Sequence, residues 1–193
     1  DVVQLTFNDF QENTYLVFDQ TRECVIFDPG CNSEQEKQEL ATKIEELDLK
    51  PVRLINTHCH IDHVFGNKFV ADRYQLDLEI HRDELPVLEA VPMIAKMYGL
   101  PASDPSPAPG NFLEAGEEVL FGSSRLQIFF TPGHSPASLS FYCEAAGFVI
   151  AGDVLFQGSI GRTDLPGGDF NTLIHSIRSQ LLTLPDTTKV YAG

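Results

Sequence analysis

Residues 58–63 read His-Cys-His-Ile-Asp-His, so three imidazoles and one carboxylate occupy six consecutive positions. Half of the chain's six histidines fall in this segment. Neutral imidazole is the commonest protein ligand for zinc-like ions and a carboxylate is the usual oxygen partner, so the segment predicts a metal centre. Its spacing separates two roles. Side chains alternate along extended backbone, which sends His58 and His60 to one side, able to chelate a single ion, and turns the sulfur of Cys59 away. Asp62 and His63 fall where the chain turns and face a second ion beside the first. A solvated turn accounts for one histidine; it does not account for the whole His-x-His-x-Asp-His pattern.

The elements around the cluster must hold it still. Residues 52–56 read as a short buried strand, and residues 62–74 as a helix with Val64, Phe65, Phe69 and Val70 on its apolar side. The cluster therefore lies where a strand turns into a helix, with its backbone fixed at both flanks. Strands are expected at 2–7, 13–18 and 24–27 in an antiparallel start, then at 78–81, 118–121, 125–131, 138–143, 148–151 and 189–191. Ser33 followed by Glu36 forms a capping box for a helix over 33–48, with Leu40, Ile44 and Leu47 on one stripe. Asn171 is expected to cap a last helix bearing Leu173, Ile174, Ile177 and Leu181. Residues 86–109 hold six of the twelve prolines and a helical patch at 92–99. That segment reads equally as a wall over the site or as core packing.

Composition narrows the class. At 193 residues and 42% hydrophobic content the chain suits one soluble domain with a continuous core. No apolar run reaches membrane-spanning length, so a membrane is not an expected partner and the cytoplasm is the expected location. A net charge of −15 with scattered basic residues argues against a phosphate-coating surface, and so against nucleic acid. The acidity on the first helix reads as a solvated face. The four cysteines, at 24, 31, 59 and 143, show no disulfide framework. Nothing in the pattern specifies an oligomeric state.

The His-x-His-x-Asp-His segment closely resembles the signature of the metallo-β-lactamase superfamily, and further motifs follow in that family's order. Asp28-Pro29-Gly30 looks like its early loop, Thr131-Pro132-Gly133-His134-Ser135 like its next ligand loop, and Ala151-Gly152-Asp153 like its strand-end aspartate. Gly158-Ser159-Ile160-Gly161-Arg162-Thr163-Asp164 resembles glyoxalase II-like proteins and, more loosely, persulfide dioxygenases. The resemblance covers nearly the whole chain. It implies a single α/β domain over 1–193, a four-layer αβ/βα sandwich with the metal site along one edge of two sheets. It also implies a ligand set: His58, His60 and His134 for one ion, Asp62 and His63 for another, and Asp153 bridging them. Asp62 would in addition orient the attacking water and take up its proton. Asp28 would orient a histidine ring, or simply receive turn N–H groups, and Arg162 is expected to pair with an internal carboxylate rather than face substrate. His81 and His175 are expected to be structural or exposed. The family's last ligand is a histidine after a short strand; here residues 189–191 are followed only by Ala192-Gly193, so a few C-terminal residues bearing that ligand are expected beyond the sequence.

The activity that the resemblance implies is a binuclear, glyoxalase II-like hydrolase with two zinc ions per chain, iron or manganese being the alternatives. Its substrate would be a small-molecule thioester of the 2-hydroxyacyl class, cleaved by metal-bound hydroxide. Glyoxalase II proteins typically carry a C-terminal helical region for glutathione, for which no room is expected after Gly193, so a thioester is a better-supported expectation than glutathione as its carrier. The alternatives are a mononuclear iron persulfide dioxygenase held by His58, His134 and Asp153, a lactone or ester hydrolase, and a metal-binding module without turnover. A true β-lactamase fits less well, because a bridging Asp153 points to the bridged hydrolases.

Overall fold

The computed structural model describes residues 1–100 and 104–193. One sheet has six strands in the order β1-β2-β3-β4-β5-β6, namely Val2–Phe7, Glu12–Phe18, Glu23–Phe27, Lys50–Ile55, Leu78–Ile80 and Pro109–Phe112. Its first three strands are antiparallel, as expected, and from β3 onward neighbours run parallel. The second half of the chain supplies β7 (Glu118–Phe121), β8 (Ser124–Phe130), β9 (Leu139–Cys143) and β10 (Phe148–Gly152), a small hairpin β11 (Leu155–Phe156) and β12 (Ser159–Ile160), and β13 (Lys189–Ala192). Five of these form a sheet in the order β13-β10-β9-β8-β7, with β13 parallel to β10. Helices α1 (Glu34–Glu46), α2 (Ile61–Val64), α3 (Asn67–Tyr74), α4 (Leu85–Tyr98) and α5 (Phe170–Ser179), with 3-10 turns at Arg82–Glu84 and Leu181–Thr183, complete the described elements.

Alternation along the strands builds the layers. Val25 and Phe27 of β3 face the second sheet with Tyr15 and Val17, and meet Leu126, Phe141 and Ile150 there. Cys24 and Ile26 face the other way, toward Leu40 and Ile44 of α1, Val70 of α3 and Leu88 of α4. In β10, Phe148 and Ile150 point between the sheets while Val149 and Ala151 pack on Leu173 and Ile177 of α5. Because such strands are buried on both faces, residues 148–151 are apolar without interruption. The result is the four-layer αβ/βα sandwich that the motifs implied.

Several local expectations change. The helix expected over 62–74 is two helices, because Gly66 presses on Pro29 and on the Cys31 sulfur, where no Cβ fits, and donates its N–H to the Pro29 carbonyl at 2.7 Å. The patch at 92–99 is the end of the longer α4, which runs through Pro92. Burial of Leu88, Val91 and Ala95 outweighs the hydrogen bond that the proline removes. Part of the proline-rich segment, residues 101–103, lies outside the described residues. α5 is capped by Asp169, whose carboxylate accepts from Thr172 N–H at 2.7 Å, two residues before the expected Asn171. At α1 the capping box forms as expected; the Glu36 carboxylate also accepts from the backbone of Asn8 and Asn32, tying the β1–β2 turn to the helix.

A second glycine is required by this packing. Gly133 has a φ of +126°, and a Cβ there would collide with the backbone of Leu173 on α5. Its carbonyl accepts from Asp169 N–H at 2.8 Å, so α5 is seated directly on the loop after β8. Strain and overpacking together predict that Gly133→Ala costs about 2–4 kcal/mol, read from chemical denaturation midpoints. A variant as stable as the parent would contradict this seat for α5.

Candidate metal centre

Strand ends from both sheets meet at one edge. β4 runs into residues 56–60, and the carbonyl of Thr57 accepts from Leu139 N–H of the second sheet at 2.8 Å. His60, the N-cap of α2, is extended (φ −63°, ψ 152°), and His58 and His60 reach the same region with ring centroids 4.8 Å apart. The first turn of α2 carries Asp62 and His63. His134 comes from the loop after β8, and Asp153 follows Gly152, whose φ of +51° turns the chain against Thr57.

The side-chain nitrogens of His58, His60 and His134 lie within 4.8 Å of one another. Hydrogen bonding sets which nitrogens are bare. The Arg162 carbonyl, 2.8 Å from His134 Nδ1, can only accept, so that nitrogen donates and Nε2 keeps its lone pair. Thr57 Oγ1 donates to Asp28 at 2.6 Å and therefore receives His58 Nδ1–H at 3.0 Å. His58 Nε2 is left buried with no protein partner. Two bare imidazole nitrogens aimed at one region, beside His60 Nδ1 at 2.9 Å from His134 Nε2, are a donor set that fits a zinc-like cation. Burial, reinforced by the neighbouring rings, holds His58 well below the ordinary imidazole pKa and brings His60 down to about 3. Burial also lowers His134, against the pull of Asp153. All three are neutral at neutral pH, the form that binds metal.

His63 stands in the opposite environment. Its Nε2 lies 3.4 Å from Asp153 Oδ1 and 3.7 Å from Asp62 Oδ2, and its Nδ1 lies 3.2 Å from Asp28 Oδ2. Burial alone would lower its pKa, but Asp62 and Asp153 raise it well above the ordinary value. Here carboxylates crowd a point that calls for positive charge, and in the metal-free chain a proton on His63 supplies it. Asp153 spans both halves: Oδ2 is 3.4 Å from His134 Nε2, while Oδ1 faces His63. Burial would raise Asp153, yet His63 and then His134 bring it below the usual carboxylate value.

Asp28, His58 and His63 also form a cluster of ligand geometry. The Asp28 oxygens, however, accept from Thr57 N–H at 2.7 Å and Thr57 Oγ–H at 2.6 Å. With those lone pairs committed, Asp28 is placed to orient His63 and, through Thr57, His58; it does not receive the turn N–H groups beside Pro29 and Gly30. The expectation for Arg162 changes. Its guanidinium forks onto exposed Asp164 at 2.7 Å, because the nearest carboxylate in that loop is only two residues away, and the backbone carbonyl is what touches the site. Cys59 is fully buried in the apolar cluster, as alternation requires. His81 caps a 3-10 turn by accepting from Asp83 N–H, and His175 lies on the exposed side of α5.

Other residues at the centre escaped the sequence reading. Glu12 is buried with Oε1 unpartnered, 3.9 Å from His63 Nδ1; burial pushes its pKa well up, although His63 opposes. Only its place ahead of an apolar run marks it in the sequence. The Tyr15 hydroxyl donates to the Ala192 carbonyl, Asn13 Nδ2 to the carbonyls of Ala192 and Gly193 at 3.3 Å, and Gly193 N–H to Gly152 at 3.0 Å. These bonds seat the end of β13 against Asp153 and His63.

Residues 7–193 match the family described as the Metallo-beta-lactamase superfamily. Hydroxyacylglutathione hydrolase GloC of Haemophilus influenzae is 37% identical over 95% of this chain and 85% of its own length. Persulfide dioxygenase ETHE1 of Homo sapiens is 31% identical over 92% of this chain, which spans 61% of that protein. Among solved structures, TTHA1623 in a di-iron-bound form has a TM-score of 0.88 at 37% identity, covering 99% of this chain and 91% of that one. BLEG-1 B3 metallo-beta-lactamase has a TM-score of 0.90 at 34% identity, covering 100% and 91%.

The buried neutral imidazoles carry a pH signature. His60 titrates near 3 when folded and near 6.5 when unfolded, so its contribution to stability is present above about pH 6.5 and lost as pH falls toward 3. In metal-free protein, His60→Gln should therefore lose less melting temperature between pH 6.5 and 4 than the parent. Parallel melting curves for the two proteins would remove this account of the cluster.

Proposed function

This chain belongs to the metallo-beta-lactamase superfamily, and from that premise we propose that it is a binuclear metal-dependent hydrolase cleaving a thioester of the 2-hydroxyacyl class. The observation that carries the binuclear reading is the Asp153 carboxylate, with one oxygen toward His134 and the other toward His63. A carboxylate so placed has a lone pair for each of two ions. On this reading His58, His60 and His134 hold one ion, and Asp62 and His63 contribute to the other. The likeness to GloC supports the thioester.

When bound, zinc-like ions supply a water acidified to a pKa of about 7 and positive charge for the substrate oxygen. The chain supplies the rest. Asp62 sits at the partly exposed side of the cluster, free to hold the attacking water through a carboxylate oxygen and take its proton. Water adds to the carbonyl carbon, the C–S bond breaks and the sulfur leaves as a thiolate, which needs little acid assistance. Asp28 and Thr57 keep the His58 and His63 rings from turning during this exchange.

A second reading rests on His58, His134 and Asp153. Two imidazoles and one carboxylate on one side of the centre suffice for a single iron with open positions, the arrangement a persulfide dioxygenase needs. The measurement that separates the two is elemental analysis of protein purified without chelator. Two zinc-like ions per chain with thioester hydrolysis support the hydrolase; one iron with persulfide-dependent oxygen consumption replaces it.

Substitution tests the site itself. Asp153→Ala is expected to abolish hydrolysis and to weaken metal binding by at least the roughly 10–100-fold seen when an orienting partner is lost. His175→Ala, on the exposed side of α5, should leave both unchanged. Equal losses in the two variants would contradict the assignment.

A further inference from the structure

The histidines of the first group come from two loops far apart in sequence, and one buried carboxylate touches both. Glu84 is 1% exposed and ends a 3-10 turn, Arg82–Glu84, that connects β5 to α4. Its Oε2 accepts from the backbone N–H of Cys59 at 2.9 Å, between His58 and His60. Its Oε1 accepts from Ala137 N–H at 2.8 Å. The hydroxyl of Ser135, next to His134, donates to the same carboxylate, 2.6 Å from Oε1 and 2.8 Å from Oε2. The backbone N–H groups and the hydroxyl converge on a carboxylate that would otherwise be costly to bury. No bond runs from Glu84 to a ligand side chain; what it sets is the spacing between one histidine loop and the other.

We propose that Glu84 is a positioning residue that staples the His58–His60 loop to the His134 loop, and that the affinity of the three-histidine group for metal depends on it. The proposal rests on the reading of that group as a metal centre. The chemistry of the staple is specific to a carboxylate. Glutamine has the same shape but only one acceptor oxygen. Whichever way its amide is turned, an NH2 group confronts the N–H of either Cys59 or Ala137, so one loop is released. Ser135→Ala is milder, since it removes one donor and leaves both N–H groups paired. Any staple matters to metal because three ligands held at their bound spacing lose little freedom when the ion arrives.

The test uses the full chain, stripped of metal and titrated with cobalt(II) ion alone. Its dissociation constant is read by competition with a chromophoric chelator and its ligand geometry by the visible d–d band. Glu84→Gln is expected to weaken cobalt binding about 10–100-fold, the range for loss of a partner that orients ligands, and to change the band. Ser135→Ala should weaken binding by a smaller factor. Leu126→Ala, in the core between the sheets, controls for lost stability and should leave affinity and band at parent values. A folded Glu84→Gln with parent affinity and spectrum overturns the proposal. So does a Leu126→Ala variant that lowers the melting temperature equally and weakens cobalt as much. If Glu84→Gln does not fold, parent affinity in Ser135→Ala overturns it instead. A parent chain that binds no cobalt removes the metal-centre reading itself, which a difference between variants cannot do.

Discussion

The carboxylate of Asp28 is the constraint on which the centre depends. It follows β3, accepts both the N–H and the hydroxyl of Thr57 just beyond β4, and faces His63 Nδ1 at 3.2 Å. Three consequences follow from one side chain. Two parallel strands are locked at the same edge; the Thr57 hydroxyl, already donating, must receive His58 Nδ1–H, which bares Nε2; and the His63 ring is held with Nε2 toward Asp62 and Asp153. The Asp28 backbone adopts a φ of +47°, an unusual conformation for a residue with a Cβ, and its bonds to Thr57 hold it there.

That geometry explains how one small region contains imidazoles of opposite character. His58, His60 and His134 are buried against one another, and burial outweighs the pull of Asp153 on His60 and His134, so they remain neutral bases. His63 is equally buried but meets carboxylates on both ring nitrogens, so it holds a proton. Burial favours the uncharged form in all four; only the specific partners reverse it in one. Asp153 stands at the border between these environments. A nitrogen-rich half and an oxygen-rich half share one carboxylate, so the two sides of the cluster differ in charge.

The ligand loop was legible because its chemistry is local. Alternation over three residues placed His58 and His60 together and sent Cys59 into the core, and the structure keeps that arrangement. The layered fold followed from the order of motifs, with the apolar run at 148–151 marking a strand buried on both faces. What was not legible depends on approach between distant segments. The break between α2 and α3 comes from Pro29 and Cys31 pressing on Gly66, and within 62–74 only the glycine itself hints at it. Arg162, expected to pair with an internal carboxylate, pairs with exposed Asp164 and reaches the centre through its backbone carbonyl. Glu12 and Glu84 look in sequence like ordinary surface acids, and only the fold buries them.

Those two buried acids show why the rest of the centre is hard to read from spacing. A ligand must present a lone pair to a shared point, which restricts residue type and position together. A residue that orients a ligand needs only a donor or acceptor somewhere along the loop, and many residues can supply one. Glu84 reaches Cys59 across 25 positions and Ala137 across 53, distances at which no local periodicity survives. The first group of imidazoles is thus written in the order of the sequence, while the contacts that hold it in place run between β3, β4, the turn before α4 and the loop after β8. Two proteins with the same ligand motif can therefore differ in how firmly they hold metal through residues that no motif contains.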